Sequence, residues 1–429
     1  MKKKVIIIGG GFAGLAAAQR LSNQKNISVT LIDRRNHHLF QPLLYQVAMA
    51  GLNPSDISVP LRKLFSRSKN ITTLMAEIET IDLEQNKILM DEQWKPYDYL
   101  IVACGSKHFY FGKNEWEEVA PGLKTIEQAT EIRRRVLLAF ELAEKETDEE
   151  QKKALLTFVI IGGGPTGIEL AGSIAEMTRY TLYKDYKKID LKKTRVVLVE
   201  AGNRILKAFP EKLSQKAKKD LQNLGVEIIL GTRASNLTSK GIQIGDQTLK
   251  SYTLIWAAGV KPAKITEKLN SPLLPDGRVK VTQHLTLPKN DSVFVLGDQA
   301  ACFNKTQNDY LPGLAPVAIQ QGKYAARTIL NDLKGKNRKP FCYVDKGMMA
   351  TIGRSKAVVQ TGKLQFTGLF AWVTWVVVHI AYLVRFKNRV FVILQWAWSY
   401  FKFGSGARLI VHKTWKFYSG EKIPISKKD

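Results

Sequence analysis

Two glycine-rich segments, 153 residues apart, constrain the fold more than any other feature of this chain. The first, residues 9–14 (GGGFAG), follows an apolar run at 5–8 and precedes an alanine-rich stretch with helical spacing. An apolar run bounded by glycines is typical of a short buried parallel strand. In such a unit the glycines permit a tight turn, close approach of a pyrophosphate and close helix–strand packing. The segment therefore predicts a dinucleotide site at a helix N-terminus.

The second glycine-rich segment repeats the pattern in the middle of the chain. Residues 162–167 (GGGPTG) follow the apolar run 158–161 and precede a second helical pattern. One GxGxxG string is weak support, but two copies in the same strand–loop–helix context are specific. The repetition also argues against a signal peptide at residues 2–18, because the same string recurs where no signal peptide can lie. An α/β chain with two Rossmann-like domains is predicted.

Each glycine-rich segment is followed by a strand that ends in an acid, namely Asp33 and Glu200. A carboxylate at this position is expected to bind ribose hydroxyls. Because Glu200 accepts from two hydroxyls and repels a 2′-phosphate, it favours NADH over NADPH. Its distance from the second glycine segment exceeds the usual spacing of about 20 residues. The basic, tyrosine-rich segment 179–193 accounts for the extra length, and we predict a helical insertion there.

Two dinucleotide sites in one chain imply two dinucleotides in contact, most simply a bound FAD that receives hydride from NADH. Residues 97–105 and 252–259 are matching strand-then-glycine strings, one for each predicted domain. Residues 293–298 form a strand that ends in Gly-Asp, where Asp298 could bind the ribitol of a flavin. Each string alone is equally compatible with an ordinary buried strand. Their order along the chain favours the flavoprotein interpretation.

The net charge points to a polyanionic partner. The chain has 65 Lys and Arg against 38 Asp and Glu, a formal charge of +27. Residues 361–429, hereafter the tail, hold 11 of the basic residues, two of the acidic ones and five of the eight tryptophans. Those five are Trp372, Trp375, Trp396, Trp398 and Trp415. Since no helix-turn-helix, zinc finger or other nucleic-acid module is recognisable, a membrane is favoured and no nucleic-acid partner is predicted.

Two apolar stretches, 364–384 and 390–401, dominate the tail. The first meets the rule of about 20 uncharged residues for a spanning helix. Polar residues inside it, Gln365, Thr367, Thr374 and His379, weaken that interpretation, and the second stretch is too short to return. Helices rich in Trp and Phe with Lys and Arg at their edges also suit the headgroup plane. Surface attachment is favoured, with spanning, a dimer interface or core helices as alternatives.

The order of these motifs resembles the two-dinucleotide-binding flavoprotein superfamily and, within it, the type II NADH:quinone oxidoreductases. Residues 36–48 (NHHLFQPLLYQVA) are similar to the family segment that approaches the flavin ring, and 315–322 (APVAIQQG) to its quinone-site motif. Residues 386–398 and 406–408 resemble its membrane-anchoring helices. The resemblance covers nearly the whole chain. It implies an FAD domain (1–120 and 270–345), an inserted NADH domain (155–265) and a membrane-anchoring region (361–429).

The resemblance also implies binding residues. Those expected to hold FAD are Gly9, Gly10, Gly11, Phe12, Ala13, Gly14, Asp33, Arg34, Gln41, Ile78, Gly105, Asp298, Ala315 and Pro316. Those expected to hold NADH are Gly162, Gly164, Gly167, Glu200, Ala258 and Gly259. Cys104 departs from the threonine that is commoner in the family, which puts that flavin contact in doubt. The histidines form no convincing metal cluster, so no metal is predicted.

The expected reaction is hydride transfer from NADH to FAD, followed by reduction of a membrane quinone without proton pumping. Glu169 is predicted to move a proton or orient the nicotinamide, with a structural role favoured by the helix dipole as the alternative. Gln320 and Gln321 are predicted to line the quinone site, unless they form an ordinary first helical turn. The resemblance further implies a homodimer on the cytoplasmic face of the cell membrane.

The nearest alternative enzyme is a sulfide:quinone oxidoreductase, and the alternative of another class is a redox-sensing flavoprotein. Sulfide:quinone oxidoreductases need reactive cysteines at the flavin, and this chain has only Cys104, Cys302 and Cys342, without a paired signature. Thioredoxin-reductase chemistry needs a CxxC motif, which is missing. A redox-sensing flavoprotein of the apoptosis-inducing-factor type would change conformation on binding NADH. Such a sensor needs neither the glutamine pair nor the tryptophan-rich tail.

Overall fold

The computed structural model describes residues 2–183, 185–402 and 407–411, with only the backbone considered at 399–402. Trp415 and the rest of the predicted anchoring region beyond residue 411 lie outside the described residues.

The helices are α1 Phe12–Leu21, α2 Leu44–Ala48, α3 Leu61–Leu64, α4 Trp116–Val119, α5 Ile126–Lys145, α6 Glu149–Leu155, α7 Pro165–Glu176, α8 Glu211–Asn223, α9 Ala315–Asp332, α10 Leu369–Tyr382 and α11 Phe386–Lys402.

The strands are β1 Lys3–Ile8, β2 Ile27–Asp33, β3 His37–Leu39, β4 Ser58–Pro60, β5 Ile71–Met75, β6 Thr80–Asp82, β7 Lys87–Met90, β8 Gln93–Pro96, β9 Tyr99–Val102, β10 Ser106–His108, β11 Thr157–Ile161, β12 Arg195–Glu200, β13 Val226–Leu230, β14 Ala234–Thr238, β15 Gly241–Ile244, β16 Gln247–Lys250, β17 Thr253–Trp256, β18 Val260–Pro262, β19 Val279–Lys280, β20 Thr286–Leu287, β21 Asn290–Val295, β22 Ala300–Ala301, β23 Phe303–Asn304, β24 Asp309–Tyr310, β25 Met348–Gly353, β26 Lys356–Thr361 and β27 Leu364–Thr367.

A six-stranded sheet with the order β20-β21-β9-β1-β2-β5 forms the first core. Strand β1 lies in its centre and pairs in parallel with β2 and β9, with Val5 opposite both Val29 and Tyr99. Its last four residues are buried, as expected for an apolar strand covered on both faces. Because the carboxyl ends of parallel strands share one edge, the first glycine segment, Asp33 and the Gly-Asp turn after β21 lie along one rim.

A four-stranded parallel sheet, β13-β12-β11-β17, forms the second core. Its strands come from the stretch of chain between β9 and β21, so this α/β unit is inserted into the first one. Strand β11 is buried at every residue and pairs with β12 and β17. The predicted class, two Rossmann-like units with one inserted in the other, is confirmed.

The insertion before β12 is only partly helical, so the predicted helical insertion is wrong in detail. A π-helical turn, Met177–Thr181, continues α7, and a short 3₁₀ turn, Leu191–Lys193, precedes β12. Between them, the backbone N–H groups of residues 187–189 donate to the Glu144 carboxylate of α5. These bonds to a side chain of another element replace the internal bonds that a continuous helix would need.

The tail packs onto the body instead of projecting from it. The stretch 364–384 is divided into β27 and α10 at Gly368, whose φ of +77° is a left-handed value that favours glycine. Ala371, Trp375 and Val392 are buried in the same apolar cluster as residues of α5 and α7. Among the described residues, none of the helices combines the length and apolar character needed to cross a bilayer.

Candidate active site

The first glycine segment forms a cradle whose shape only glycine allows. Gly9 has a φ of +103°, and a Cβ added there would lie 2.3 Å from the carbonyl oxygen of Ala103, the residue after β9. A Cβ on Gly14 would lie 1.8 Å from the carbonyl oxygen of Gly9. Gly11 differs, because a Cβ there would have no neighbour within 4 Å. Gly11 is the N-cap of α1 and no side chain caps this helix, so its first N–H groups remain for an anion.

The second glycine segment reproduces this geometry. Gly162 has a φ of +114°, and its Cβ would lie 2.6 Å from the carbonyl group of Ala257 after β17. A Cβ on Gly167 would lie 1.9 Å from the oxygen of Gly162, whereas Gly164 again has open space. Gly164 is the N-cap of α7 and carries no side-chain cap. Both cradles therefore fit the pyrophosphate of a dinucleotide such as FAD or NADH.

Each predicted ribose-binding acid accepts a hydrogen bond from the backbone of its own glycine segment. The Gly10 N–H donates to Asp33 Oδ2 at 2.6 Å, and the Gly163 N–H donates to Glu200 Oε2 at 2.6 Å. The second oxygen of Glu200 accepts from Gly202 N–H at 2.7 Å. The second oxygen of Asp33 accepts from the Arg35 N–H at 2.7 Å, and both acids are only half-buried. Asp33 and Glu200 thus lie where ribose recognition requires them, although their ribose role stays a prediction.

Asp298 belongs to a polar cluster that joins three parts of the chain. Ser106 Oγ donates to Asp298 Oδ2 at 2.5 Å, and Lys124 Nζ lies 2.6 Å from Ser106 Oγ and 3.6 Å from Asp298 Oδ2. Gln41, a predicted flavin contact, donates to the Lys124 carbonyl at 3.2 Å. Ser106 and Lys124 were not predicted. No local pattern marks them, because their partner lies more than 170 residues further along the chain.

The remaining predicted flavin contacts lie around the same rim. Arg34 is exposed, Ile78 is buried, Gly105 has a φ of +67°, and Ala315 and Pro316 form the first turn of α9. The backbone N–H of Cys104 donates to Gln299 Oε1 at 2.6 Å, and Gln299 was also missed. Burial raises the pKa of the Cys104 thiol to about 12, so it is not a nucleophilic thiolate near neutral pH.

The two glutamines of the predicted quinone motif point in different directions. Gln321 is buried and accepts from the Gly297 N–H at 2.6 Å, which fixes the turn that carries Asp298. Gln320 donates to the Val344 carbonyl at 2.8 Å and accepts from the Val344 N–H at 3.0 Å. Adjacent helical residues do not share a face. The structure therefore does not bring the two amides together, and their quinone role stays a prediction.

Glu169 lies on α7, the helix whose N-terminus forms the second cradle, and its neighbours include Thr351 of β25 and Tyr45 of α2. The helix begins at Pro165 and has no acid in its first turn, so Glu169 lies beyond the reach of the helix dipole that was its alternative role. Burial raises the pKa of Glu169 to about 8, against a hydrogen bond from the backbone of Thr351. Ala258 and Gly259 follow β17 nearby, and Gly259 has a φ of +115°.

Comparisons with known proteins identify the family to which this fold belongs. A family model described as pyridine nucleotide-disulphide oxidoreductase matches residues 3–322. Type II NADH:quinone oxidoreductase Ndh of Mycobacterium tuberculosis is 41% identical over 411 residues, 92% of this chain and 87% of that protein. A type II NADH:quinone oxidoreductase of Staphylococcus haemolyticus is 32% identical over 83% of this chain and 89% of its own. The structure of NDH2 from Plasmodium falciparum in complex with NADH has a TM-score of 0.87 at 21% identity, covering 96% of this chain and all of that one.

Two nucleotide cradles in nested α/β units, one beside a flavin-type Gly-Asp turn, define a two-dinucleotide flavoprotein. The chain belongs to the pyridine nucleotide-disulphide oxidoreductase family and, within it, to the type II NADH:quinone oxidoreductases.

Proposed function

We propose that this chain is a single-subunit respiratory NADH dehydrogenase that reduces a membrane quinone and pumps no protons. The observation that carries the proposal is the pair of matching cradles. In each of them the helix N-terminus has no side-chain cap, and a Cβ added to its N-cap glycine, Gly11 or Gly164, would have no neighbour within 4 Å. When bound in the first cradle, FAD supplies a two-electron acceptor for NADH and a two-electron donor for the quinone. The protein contributes binding, orientation and control of protons.

Different residues of the chain have these binding, orienting and proton-holding roles. Asp33 and Glu200 hold the two ribose groups, and the Ser106–Lys124 pair fixes the Asp298 carboxylate for the ribitol. Glu169 is neutral near pH 7 because burial raises its pKa to about 8, so it holds a proton on the nucleotide side. The overall reaction consumes one proton, since NADH, a proton and a quinone yield NAD⁺ and a quinol.

Two observations favour quinone reduction over the alternatives. Burial raises the pKa of Cys104 to about 12 and that of Cys302 to about 11, which disfavours the thiolates that sulfide oxidation needs. The tail supplies an apolar surface that a soluble redox sensor does not need. We therefore assign quinone reduction, with sulfide oxidation and sensing as outcomes of the test.

The test is steady-state oxidation of NADH by purified, FAD-loaded protein with short-chain ubiquinone and menaquinone analogues. We expect rapid NADH oxidation that depends on added quinone, with sulfide inert as donor. A stable complex of reduced protein and nucleotide that added quinone does not discharge would instead establish the sensor, and turnover with sulfide would establish the sulfide oxidoreductase.

We further propose that α10 and α11 attach the enzyme to the membrane surface. Phe370 and Phe386 are 82% and 79% exposed, and Val377, Leu394 and Trp398 are also exposed. Exposed Arg385 and Lys387 adjoin them and would attract anionic lipid headgroups. This distribution supports a monotopic enzyme, and its position on the cytoplasmic face of the cell membrane rests on the family resemblance. The homodimer rests on the family resemblance alone.

Replacing Phe370 and Phe386 together by serine is expected to weaken binding to vesicles of phosphatidylglycerol and phosphatidylcholine. Full burial of one such side chain is worth about 1.5–3 kcal/mol, so a loss of tenfold or more is expected. Co-sedimentation measures it, and NADH oxidation with ferricyanide should not change. Leu273, an exposed leucine outside the tail sequence, provides the serine control. Equal vesicle binding by both variants would contradict the surface assignment.

A further inference from the structure

The two cradles have matching hydrogen bonds at equivalent positions, but the middle glycine of each segment differs. Equivalent backbone bonds of 2.7, 2.8, 2.9 and 3.1 Å join Gly9 to Ile32, Gly162 to Val199, Leu15 to Gly11 and Ile168 to Gly164. The Gly10 carbonyl lies 2.9 Å from Nδ1 of His38. The Gly163 carbonyl instead accepts from the backbone N–H of Leu206 at 2.8 Å. The first cradle thus uses a side chain where the second uses the backbone.

His38 donates this hydrogen bond as a neutral imidazole. A carbonyl oxygen can only accept, so Nδ1 carries the proton. Burial lowers the pKa of His38 and outweighs the hydrogen bond to Gly10, so the ring is neutral at pH 7. His38 is 1% exposed, and its Nε2 forms no hydrogen bond with any of the described residues. A charged ring would bury a second N–H without a partner, which a neutral ring avoids.

Packing fixes the position of His38. It is the middle residue of β3 and lies opposite Val59 of β4 in the antiparallel pair. Its ring contacts that of Phe12, the first residue of α1, edge-on with centroids 5.3 Å apart. The imidazole is therefore held between the β3–β4 pair and the start of the helix that leaves the first cradle.

The hydrogen bond to the Gly10 carbonyl also orients the N–H of the next residue. In a planar trans peptide, the C=O of one residue and the N–H of the next point in opposite directions. With the Gly10 carbonyl directed at His38, the Gly11 N–H is directed away from it. Gly11 is the uncapped N-cap of α1, and a Cβ there would have no neighbour within 4 Å. The preceding peptide unit is fixed as well, because its Gly10 N–H donates to Asp33.

We propose that His38 is a positioning residue of the first cradle, whose Nδ1–H holds the Gly10 carbonyl so that the Gly11 N–H faces the pyrophosphate of FAD. This inference rests on the proposed function, which assigns FAD to this cradle. Backbone N–H groups bind a phosphate when they converge on it at a helix N-terminus. Without His38, the peptide unit between Gly10 and Gly11 would lose the bond that sets its orientation.

The test measures the dissociation constant of FAD from the fluorescence of flavin released when the full-length holoenzyme is diluted. His38→Leu removes the donor, and we expect it to raise this constant about tenfold, the equivalent of about 1.4 kcal/mol. His38→Asn restores a donor, because its amide occupies the position of Nδ1, so its constant should stay within about threefold of the wild-type value. With FAD saturating, neither variant should change the KM for NADH, because the Leu206 N–H holds the equivalent carbonyl of the second cradle.

Two further variants separate the hydrogen bond from packing. His38→Gln keeps a polar side chain but carries its amide near the position of Nε2, so it should lose FAD as His38→Leu does. If His38→Leu fails to fold, the comparison of His38→Asn with His38→Gln decides the inference. His379→Leu removes another imidazole whose Nδ1 lies 2.7 Å from a backbone carbonyl, that of Trp375 in α10, and should leave the FAD constant unchanged.

The outcomes distinguish this inference from the proposed function. Equal FAD affinity in His38→Asn and His38→Gln overturns the inference, and so does a loss of FAD in His379→Leu as large as that in His38→Leu. Wild-type protein that binds no FAD overturns the proposed function and the inference together. Wild-type protein that binds FAD but reduces no quinone overturns the proposed function only, and the His38 variants still decide the inference.

Discussion

Alanine at Gly164 is expected to raise the KM for NADH by ten- to a hundredfold without changing the melting temperature. Gly164 has an ordinary φ of −75°, and a Cβ there meets no protein atom within 4 Å, so the folded protein has room for it. That space adjoins the uncapped N–H groups of α7, where a pyrophosphate must come close to the backbone. Hydrogen bonds to a charged group are worth about 1.5–3 kcal/mol, which gives the expected range.

The glycine at the end of the same segment provides the contrasting control. A Cβ on Gly167 would lie 1.9 Å from the oxygen of Gly162, so Gly167→Ala should lower the melting temperature as well as the activity. Gly11→Ala, the equivalent of Gly164→Ala in the first cradle, should release FAD and leave the melting temperature of the apoprotein unchanged. Normal NADH kinetics in Gly164→Ala would show that the nucleotide does not occupy this cradle.

The cradles could be predicted from the sequence because the glycines of each one fall within a single short segment. Gly9 and Gly14 contact each other or the strand beside them, and the spacing of the glycines follows from that geometry. The partner of Asp298 could not be predicted in this way. Lys124 reaches it only because β10 and the segment before α5 meet across the nested units, and no spacing in the sequence encodes that contact.

The tail shows the same limit of local patterns. Composition predicted amphipathic helices, and α10 and α11 do present apolar, exposed residues. Composition did not predict that the opposite face is docked: Asn388 donates to the Asp56 carbonyl at 2.9 Å and Gln395 to the Gly51 carbonyl at 3.0 Å. With Trp375 and Val392 in the core, removal of the tail would open that core. Substitution of its exposed residues is therefore the cleaner test of membrane binding.

Glu169 is expected to make the folded protein less stable as the pH rises through neutrality. Burial raises its pKa from 4.5 to about 8, so between these values the folded state binds a proton that the unfolded state has lost. The stabilisation is complete below pH 4.5 and is lost as the pH rises through about 8. Allowing for its partial exposure, the loss is on the order of 3 kcal/mol. Glu169→Gln should remove this slope from the free energy of unfolding.

Glu131 provides a control of opposite sign. Burial would raise its pKa, but hydrogen bonds from Arg134 and Arg135 outweigh burial and lower it to about 2. Its stabilisation is therefore present above the unfolded value of 4.5 and is lost as the pH falls towards 2. Glu131→Gln should change stability in acid and leave the slope between pH 5 and 8 in place, as urea titrations at each pH will show.

Ionisation of Glu169 is also expected to set the upper pH limit of NADH binding. Tyr45 faces Glu169 from α2, and burial together with the Glu169 charge raises the pKa of Tyr45 well above its usual range, so this phenol stays neutral. If Glu169 lies beside the nicotinamide nucleotide, as proposed above, its ionisation above pH 8 places a negative charge next to an anion. The KM for NADH should therefore rise about tenfold between pH 7 and 9 in the wild type and stay level in Glu169→Gln. A parallel rise in both proteins would place the responsible group elsewhere and remove Glu169 from proton control.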